Sequence, residues 1–237
     1  MLDTDLTTAS QIRQVPVFKD LDEHALNALA LIAERRDVPE GTILCQQGVP
    51  ADQLLVLLQG QVALENTSPS GVSAVVDVVP PGGHFMLSTV LSGLPSLMSA
   101  RTVTAAKLIG VGAAGLRELL HREPSLAAAL LRAEALDFGA MVRQVCDLKL
   151  RTTAQRLGGY LLTLTNETAD NTVSLRLPFD KRLLAARLGC RQENLSRAFA
   201  ALRGLGVETH GARVILHDIE RLRDYALPDQ APATPAA

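Results

Sequence analysis

Three polar residues in the C-terminal third of the chain have the spacing needed to contact nucleic-acid bases. Glu193, Ser196 and Arg197 stand at positions i, i+3 and i+4, which places them on one face if the segment is helical. Arginine can donate two hydrogen bonds to guanine O6 and N7, and glutamate can accept one from cytosine N4. The alternative is a surface salt bridge between Glu193 and Arg197, worth roughly a few tenths of a kcal/mol.

The surrounding residues predict two helices joined by a tight turn. The first helix is expected after Asp180, which can cap it, and the second from about Gln192 to Arg203, with Gly189 between them. Residues 207–218, VETHGARVILHD, predict a β hairpin. This order describes a winged helix–turn–helix, whose second helix enters the major groove of DNA.

Other residues extend this predicted interface. Ser196 is short enough to reach a base edge or a phosphate, and Arg191 precedes a helix N-terminus that can hold phosphate. Arg203 and Arg213 can add contacts to the DNA backbone. Cys190 directly precedes the second helix and is either a packing residue or a redox switch beside the phosphates.

Charge is distributed unevenly along the chain, although the whole chain carries a net charge of only −2. Residues 1–150 contain 11 Lys and Arg against 16 Asp and Glu, a net charge of −5. Residues 176–223 contain 10 against 5, a net charge of +5. The basic C-terminal region is the part expected to approach a polyanion.

The rest of the chain shows two different sequence patterns. With 237 residues, of which 47% are hydrophobic, it can hold one or two domains with sizeable cores. A helix is expected within residues 15–35, followed by short apolar runs that glycines interrupt about every ten residues. Such runs are typical of an antiparallel β sandwich or barrel. From Pro124 the pattern predicts one long helix.

The long helix carries an apolar stripe with steps of 4, 3, 4 and 3 residues. The stripe consists of Leu131, Ala135, Phe138, Val142 and Val145. This spacing is that of a coiled-coil seam and predicts a homodimer contact, with packing on the helix's own domain as the alternative. Gly139 weakens the middle of the helix, since Gly costs roughly 1 kcal/mol relative to Ala.

Several function classes are disfavoured. No apolar run approaches the length that spans a bilayer, and Asp3 and Asp5 stand where a secretory signal would be basic, so no membrane contact and a cytoplasmic location are expected. The three cysteines are far apart, which argues against a disulfide framework or a local metal site. No catalytic triad, carboxylate pair or P-loop stands out, so the chain is not expected to be an enzyme.

These segments, in this order, resemble the Crp/Fnr family of bacterial transcription regulators. The stretch GCRQENLSRAFAALRGLG resembles the recognition helix of that family, in the E-x-x-S-R form of its Fnr/Dnr branch, here Glu193, Ser196 and Arg197. The stretch QQGVPADQLLVLLQGQVAL at 46–64 resembles its glycine-bounded β-roll signature. The resemblance covers roughly residues 15–226.

The resemblance implies an α+β fold in three parts. An antiparallel β-roll similar to a cyclic-nucleotide-binding domain is expected at 1–123, a dimerisation helix at 124–150 and a winged helix–turn–helix at 151–226. The Pro- and Ala-rich composition of residues 227–237 predicts a disordered tail. It further implies a homodimer on double-stranded DNA, at a palindrome with half-sites of the TTGAT type, and RNA polymerase as a partner. The alternative is a ligand-binding regulatory protein that acts through protein partners.

The resemblance also bears on the effector. In cyclic-nucleotide-binding members a G-E-[LI] loop contacts the ribose and an R-[ST] pair contacts the phosphate. Here Ser88 or a neighbour replaces the glutamate, Met98 and Ser99 replace the Arg–Ser pair, and Arg101 comes two positions late. These changes argue against cyclic AMP, because an ion pair to the phosphate is hard to replace. His84, Ser88, Ser99 and Arg101 are the candidate effector-pocket residues.

The sequence does not decide which cofactor, if any, the chain binds. The first 44 residues contain no cysteine, which argues against an Fnr-type iron–sulfur cluster. For haem, His24 and His84 are the candidate axial ligands, with Met86 or Cys45 as weaker ones. The alternatives to haem are another small ligand, or regulation by the amount of the protein alone. Neither the effector nor the direction of regulation follows from the sequence.

Overall fold

The computed structural model describes residues 7–165, 171–178 and 180–227. The chain divides into two units, Met1–Ala140 and Met141–Ala237. The predicted disordered tail, 227–237, lies outside the described residues except for Leu227.

Two four-stranded antiparallel sheets form the body of the first unit. Its strands are β1 (Ala33–Val38), β2 (Ile43–Cys45), β3 (Gln53–Gln59), β4 (Val62–Thr67), β5 (Ser73–Val79), β6 (His84–Phe85), β7 (Ser99–Thr102) and β8 (Ala106–Gly112). One sheet has the order β1-β8-β3-β6 and the other β2-β7-β4-β5. All neighbouring strands in the two sheets are antiparallel.

Strand β3 lies between two apolar clusters of the first unit. Its side chains Leu55 and Leu57 join an apolar cluster that draws residues from both sheets. Leu54 and Val56 point to the other side and pack in a second cluster with the helices of the unit. Because both faces are covered, the strand QLLVLLQ is a continuous apolar run rather than an alternating one.

Short helices cover the first unit, and a long one leads out of it. They are α1 (Thr8–Arg13), a 3-10 turn (Pro16–Phe18), α2 (Glu23–Leu31), α3 (Leu87–Ser92), α4 (Ala113–Arg122) and α5 (Pro124–Leu150). Asp22 caps α2, since its Oδ1 accepts a hydrogen bond from Ala25 N at 2.8 Å. Helix α5 begins at Pro124, where the sequence predicts it, and continues into the second unit.

The helix expected within residues 15–35 is shorter than the pattern predicts. Helix α2 ends at Leu31, and Ala33–Val38 is an edge strand that pairs with β8. The charged run of this strand, Glu34 to Asp37, favours a helix locally, but pairing with a strand about seventy residues later overrides it. Helices α1, α3 and α4 are six to ten residues long, too short for a clear periodic signal.

The second unit is a helical bundle with a three-stranded sheet. Its elements after α5 are α6 (Thr153–Thr163), β9 (Val173–Arg176), α7 (Lys181–Arg187), α8 (Gln192–Arg203), β10 (Val207–His210), β11 (Arg213–Leu216) and α9 (Ile219–Ala226). The sheet has the order β10-β11-β9. Helices α7 and α8 and the β10–β11 hairpin lie where the sequence predicts them.

Candidate nucleic-acid interface

The turn between α7 and α8 sets how α8 is presented. Asp180 Oδ1 caps α7 by accepting a hydrogen bond from Leu183 N at 2.8 Å. The chain then reverses at Gly189, whose φ of +62° lies in the left-handed region that favours glycine. A Cβ at this position would stand 2.7 Å from Leu148 Cδ2. The positive φ therefore favours glycine at this turn, and a larger residue would also require the Leu148 side chain to shift.

Helix α8 buries one face completely. The buried residues are Leu195, Ala198, Phe199 and Leu202, at positions i, i+3, i+4 and i+7. The Lys181 ammonium lies 5.8 Å from the centroid of the Phe199 ring, which adds a cation–π contact to α7. This packing fixes the rotation of α8 about its axis and leaves the opposite face towards solvent.

The outer face of α8 carries the predicted polar set. Glu193, Ser196 and Arg197 are all exposed. Within the described part of the chain, Glu193 and Arg197 form no ion pair with each other, so the alternative of a surface salt bridge is not realised. Arg191 is the N-cap and makes no side-chain capping bond, which leaves the first N–H groups of α8 available to an anion.

Two further arginines of the predicted site lie at the end of α8 and in the hairpin beside it. Arg203 lies exposed in the last turn of α8. Arg213 opens β11, and its Nε donates a hydrogen bond to Ser174 Oγ at 2.8 Å. The hairpin turns at Gly211, with φ of +63°.

A histidine pair in this hairpin was not singled out by the sequence. His210 Nε2 lies 2.8 Å from Glu208 Oε1, and His217 Nε2 lies 3.1 Å from Glu208 Oε2. Hydrogen bonds from His217 and His210, with a smaller electrostatic contribution from the two rings, hold the pKa of Glu208 below its usual value. The i, i+2 spacing of Glu208 and His210 in a strand was the available signal, because it places both side chains on one face.

Cys190 lies at the edge of the core of the second unit. It is half-buried and packs against the apolar cluster of that unit. Burial raises the pKa of its thiol, and the nearby Arg156 opposes this only in part. A thiol with a raised pKa is poorly reactive, which favours packing over a redox switch.

The apolar stripe of α5 is exposed along its length. Leu131 and Phe138 are each 72% exposed, and Val142 and Val145 are 45% and 46% exposed. Ala135 is also exposed. The alternative of packing on the helix's own domain therefore does not apply to these side chains, and water contact of so long an apolar stripe is unfavourable.

The candidate effector residues make separate contacts in the first unit. Ser99 and Arg101 share one side of β7, while Ala100 between them is buried among apolar residues. Arg101 Nη2 lies 3.0 Å from Glu65 Oε2 on the neighbouring strand. Ser88 lies exposed in α3. Arg101 is thus already engaged by a carboxylate of the protein.

The two candidate haem ligands contact different carboxylates. His24 is 84% exposed, with its Nδ1 2.9 Å from Glu123 Oε1. His84 Nε2 is buried and lies 3.2 Å from Asp137 Oδ2, a contact that lacks hydrogen-bond geometry. Burial raises the pKa of the nearby Glu134, and Asp137 adds to this while His84 opposes it. Among the residues described, no three His, Cys, Asp or Glu side chains are grouped to hold a metal ion.

Comparison with known proteins assigns separate domain families to the N-terminal and C-terminal parts of the chain. Residues 35–123 match the cyclic nucleotide-binding domain family, and residues 155–225 match the Crp-like helix-turn-helix domain family. The chain is 27% identical over 213 residues to a protein of Lacticaseibacillus casei classed as transcriptional regulator flp, covering 90% of this chain and 96% of that one. It is 24% identical to the CRP-like cAMP-activated global transcriptional regulator of Mycobacterium tuberculosis, covering 87% and 94%.

Solved structures support the same assignment. A Ruegeria pomeroyi protein classed as a cyclic nucleotide binding protein is 31% identical, with a TM-score of 0.63 over 93% of this chain and 97% of that one. FixK2 of Bradyrhizobium japonicum has the same fold, with a TM-score of 0.72 at 20% identity over 85% of this chain and all of that one. The chain belongs to the Crp/Fnr family of transcription regulators, and its second unit carries the DNA-binding helix–turn–helix of that family.

These findings confirm the predicted fold class and the predicted function as a DNA-binding regulator. The outer face of α8 belongs to the part of the chain that matches the Crp-like helix-turn-helix domain. No helix in the described ranges is both long and apolar enough to cross a membrane.

Proposed function

We propose that two copies of this chain bind a palindromic DNA site, with half-sites of the TTGAT type read by α8, as in the Fnr/Dnr branch of the family. The observation that carries this proposal is the exposure of Glu193, Ser196 and Arg197 on a helix whose other face is locked in the core. The dimer acts in the cytoplasm and regulates transcription through RNA polymerase, and it is not an enzyme.

The half-site suits the side chains available. TTGAT contains a single G·C pair, which offers guanine O6 and N7 to Arg197 and the cytosine amino group to Glu193. Ser196 and Arg191 contact phosphates and hold α8 in register, and Arg203 and Arg213 add backbone contacts. Arg197 and Glu193 thus select the bases, while the remaining contacts supply affinity that falls as the salt concentration rises.

Dimerisation through α5 follows from its exposed stripe. Leu131 and Phe138 expose most of their apolar surface to water, and Val142 and Val145 continue the seam over the next two turns. A second copy of the same helix would cover them by knobs-into-holes packing. A two-fold symmetric dimer presents two copies of α8 to DNA, which is why the expected site is a palindrome.

The first unit is proposed to bind a small effector, and cyclic AMP is disfavoured because Arg101 pairs with Glu65 and no other cation replaces it in the matching stretch. A haem fits poorly at His24 and His84. His24 is largely exposed, and His84 Nε2 is buried with the negatively charged Asp137 carboxylate 3.2 Å away. An absorption spectrum after haem reconstitution tests the cofactor: no Soret band is expected, and a band that disappears in His84→Gln would establish haem.

The direct test of the proposed function is a fluorescence-anisotropy titration with three DNA duplexes. One carries the TTGAT palindrome, one a single half-site and one a scrambled sequence. The palindrome is expected to bind two protomers and to bind most tightly, because both recognition helices are engaged. Equal affinity for all three duplexes would contradict sequence-specific reading.

A further inference from the structure

The sheet of the second unit has a polar outer face. His210 stands opposite Arg213, and Arg213 stands opposite Arg176 on β9. Directly opposite residues point to the same side of an antiparallel sheet, whereas Val207 and Val214 point into the core. We call this surface the outer wing face; it consists of Ser174, Arg176, Glu208, His210, Arg213 and His217, with the half-buried Ile215 between Ser174 and Glu208.

The charge of the outer wing face depends on protons. Arg176 and Arg213 are cationic, and Glu208 is its single carboxylate, so the face carries +1 when both imidazoles are neutral and +3 when both are protonated. Imidazole is the side chain whose charge changes near neutral pH. Both oxygens of Glu208 contact a histidine ring, so protonation of either ring neutralises this carboxylate directly.

Acidic groups of neighbouring elements do not interfere with this arrangement. Asp218 follows His217, but its Oδ1 accepts hydrogen bonds from Arg221 N at 3.0 Å and Asn171 Nδ2 at 3.3 Å at the start of α9. From α8, the charged residue that faces the cluster is Arg203. Glu208 is thus the carboxylate that contacts both imidazoles, Asp218 is held at the start of α9, and Arg203 is the cation that lines the same cavity.

An open cavity lies between the side chains of Glu208, His210 and His217 and the C-terminal end of α8. It has a volume of about 440 Å³ and is lined by Arg203 of α8, by Glu208, Thr209 and His210 of β10, and by His217. Gly206 lies at the base of the cavity, where its φ of +80° allows the chain to turn. A Cβ at this position would lie 3.4 Å from His217 Cβ. The cavity is therefore continuous with the helix that reads DNA.

We propose that this cavity and the outer wing face bind phosphates of the DNA that flanks the half-site, and that protonation of His210 and His217 strengthens this contact. The inference rests on the proposed function and adds to it a second, proton-linked contact. In the neutral state Glu208 repels a phosphate and weakens the attraction of Arg203. Binding of the phosphate favours the protonated imidazoles, so DNA binding takes up protons and affinity rises as pH falls.

The test measures DNA affinity against pH with the full chain and a palindrome that carries flanking sequence. From about pH 8 to about pH 6, wild-type affinity is expected to rise by roughly three- to tenfold for each proton taken up. The double variant His210→Gln, His217→Gln keeps polar side chains that do not titrate and is expected to lose this rise. His121→Gln removes an exposed imidazole of α4 in the first unit and is the matched control, which keeps the rise.

A second variant keeps the inference testable if the double variant does not fold. Glu208→Gln removes the repelling charge, so it is expected to bind at least about twofold more tightly than wild type near pH 8 and to show a smaller rise on acidification. Weaker binding by Glu208→Gln, or an undiminished rise in the folded double variant, would overturn the inference. A specific complex whose affinity does not change with pH contradicts this inference alone. Absence of any specific complex contradicts the proposed function and this inference together.

Discussion

At the scale of single residues, glycines control how the helix–turn–helix and its hairpin are held. Gly189 and Gly211 have nearly the same φ, +62° and +63°, but differ in their surroundings. A Cβ at 189 would meet Leu148 Cδ2 at 2.7 Å, whereas a Cβ at 211 meets nothing within 4 Å. The two positions therefore separate the cost of a left-handed backbone from the cost of a steric contact.

Alanine at these positions is expected to destabilise the second unit to different extents. Gly211→Ala should lower the free energy of unfolding by about 1–2 kcal/mol through the left-handed backbone alone. Gly189→Ala should lower it further, because the side chain of Leu148 must also move. Gly204→Ala is the control, since Gly204 has φ of −63° and helical geometry. Urea denaturation measures all three, and equal stability of the 189 and 204 variants would refute this account of the turn.

Residue chemistry also decides what the outer face of α8 can recognise. Glu193 and Arg197 are one helical turn apart yet unpaired within the described residues, so both are available to bases. A pre-formed salt bridge would have to break before either could bind DNA. Their availability makes base reading the favoured use of this face.

At the scale of elements, α5 is the part whose structure calls for a partner. Its exposed apolar residues recur on one stripe, while residues such as Leu126 and Leu130 near its start are buried in the first unit. A helix with an apolar stripe on both its inner and outer sides is typical of one that packs on its own domain and on a second copy.

A charge within the stripe is expected to separate the protomers. Phe138→Asp replaces a large apolar contact, worth roughly 1.5–3 kcal/mol per protomer, by a carboxylate in the seam. Sedimentation equilibrium at micromolar concentration should show a dimer for wild type and a monomer for Phe138→Asp. Ala140→Asp places the same charge on α5 off the stripe and should remain dimeric. A monomeric wild type would contradict the proposed seam.

At the scale of the whole molecule, local signals allowed the second unit to be predicted closely. The Asp180 cap, the turn at Gly189 and the buried set of α8 all lie within about twenty residues, so their meaning does not depend on distant partners. The outer face of α8 follows from that set by geometry alone. The helix–turn–helix was therefore predictable from sequence.

Features that depend on distant pairing were not predictable in the same way. Strand β1 contains a charged run with a helical preference and becomes a strand only because β8 pairs with it. Glu208 and His217 meet across the hairpin, and the sequence shows them merely as a carboxylate and an imidazole nine residues apart. Arg101 pairs with Glu65 of another strand, a contact that no local pattern indicates. The effector is harder still, since its recognition depends on the shape of a pocket rather than on a motif.

The most direct test of the central claim, that α8 reads a base sequence, is a titration of Arg197→Ala on palindromes in which each half-site base pair is changed in turn. The variant is expected to lose about 1–3 kcal/mol of specific binding and to discriminate less at one position in each half-site, the G·C pair. Arg223→Ala, an exposed arginine of α9, should leave both affinity and discrimination unchanged. If Arg197→Ala binds every palindrome as wild type does, α8 does not read DNA in the way proposed.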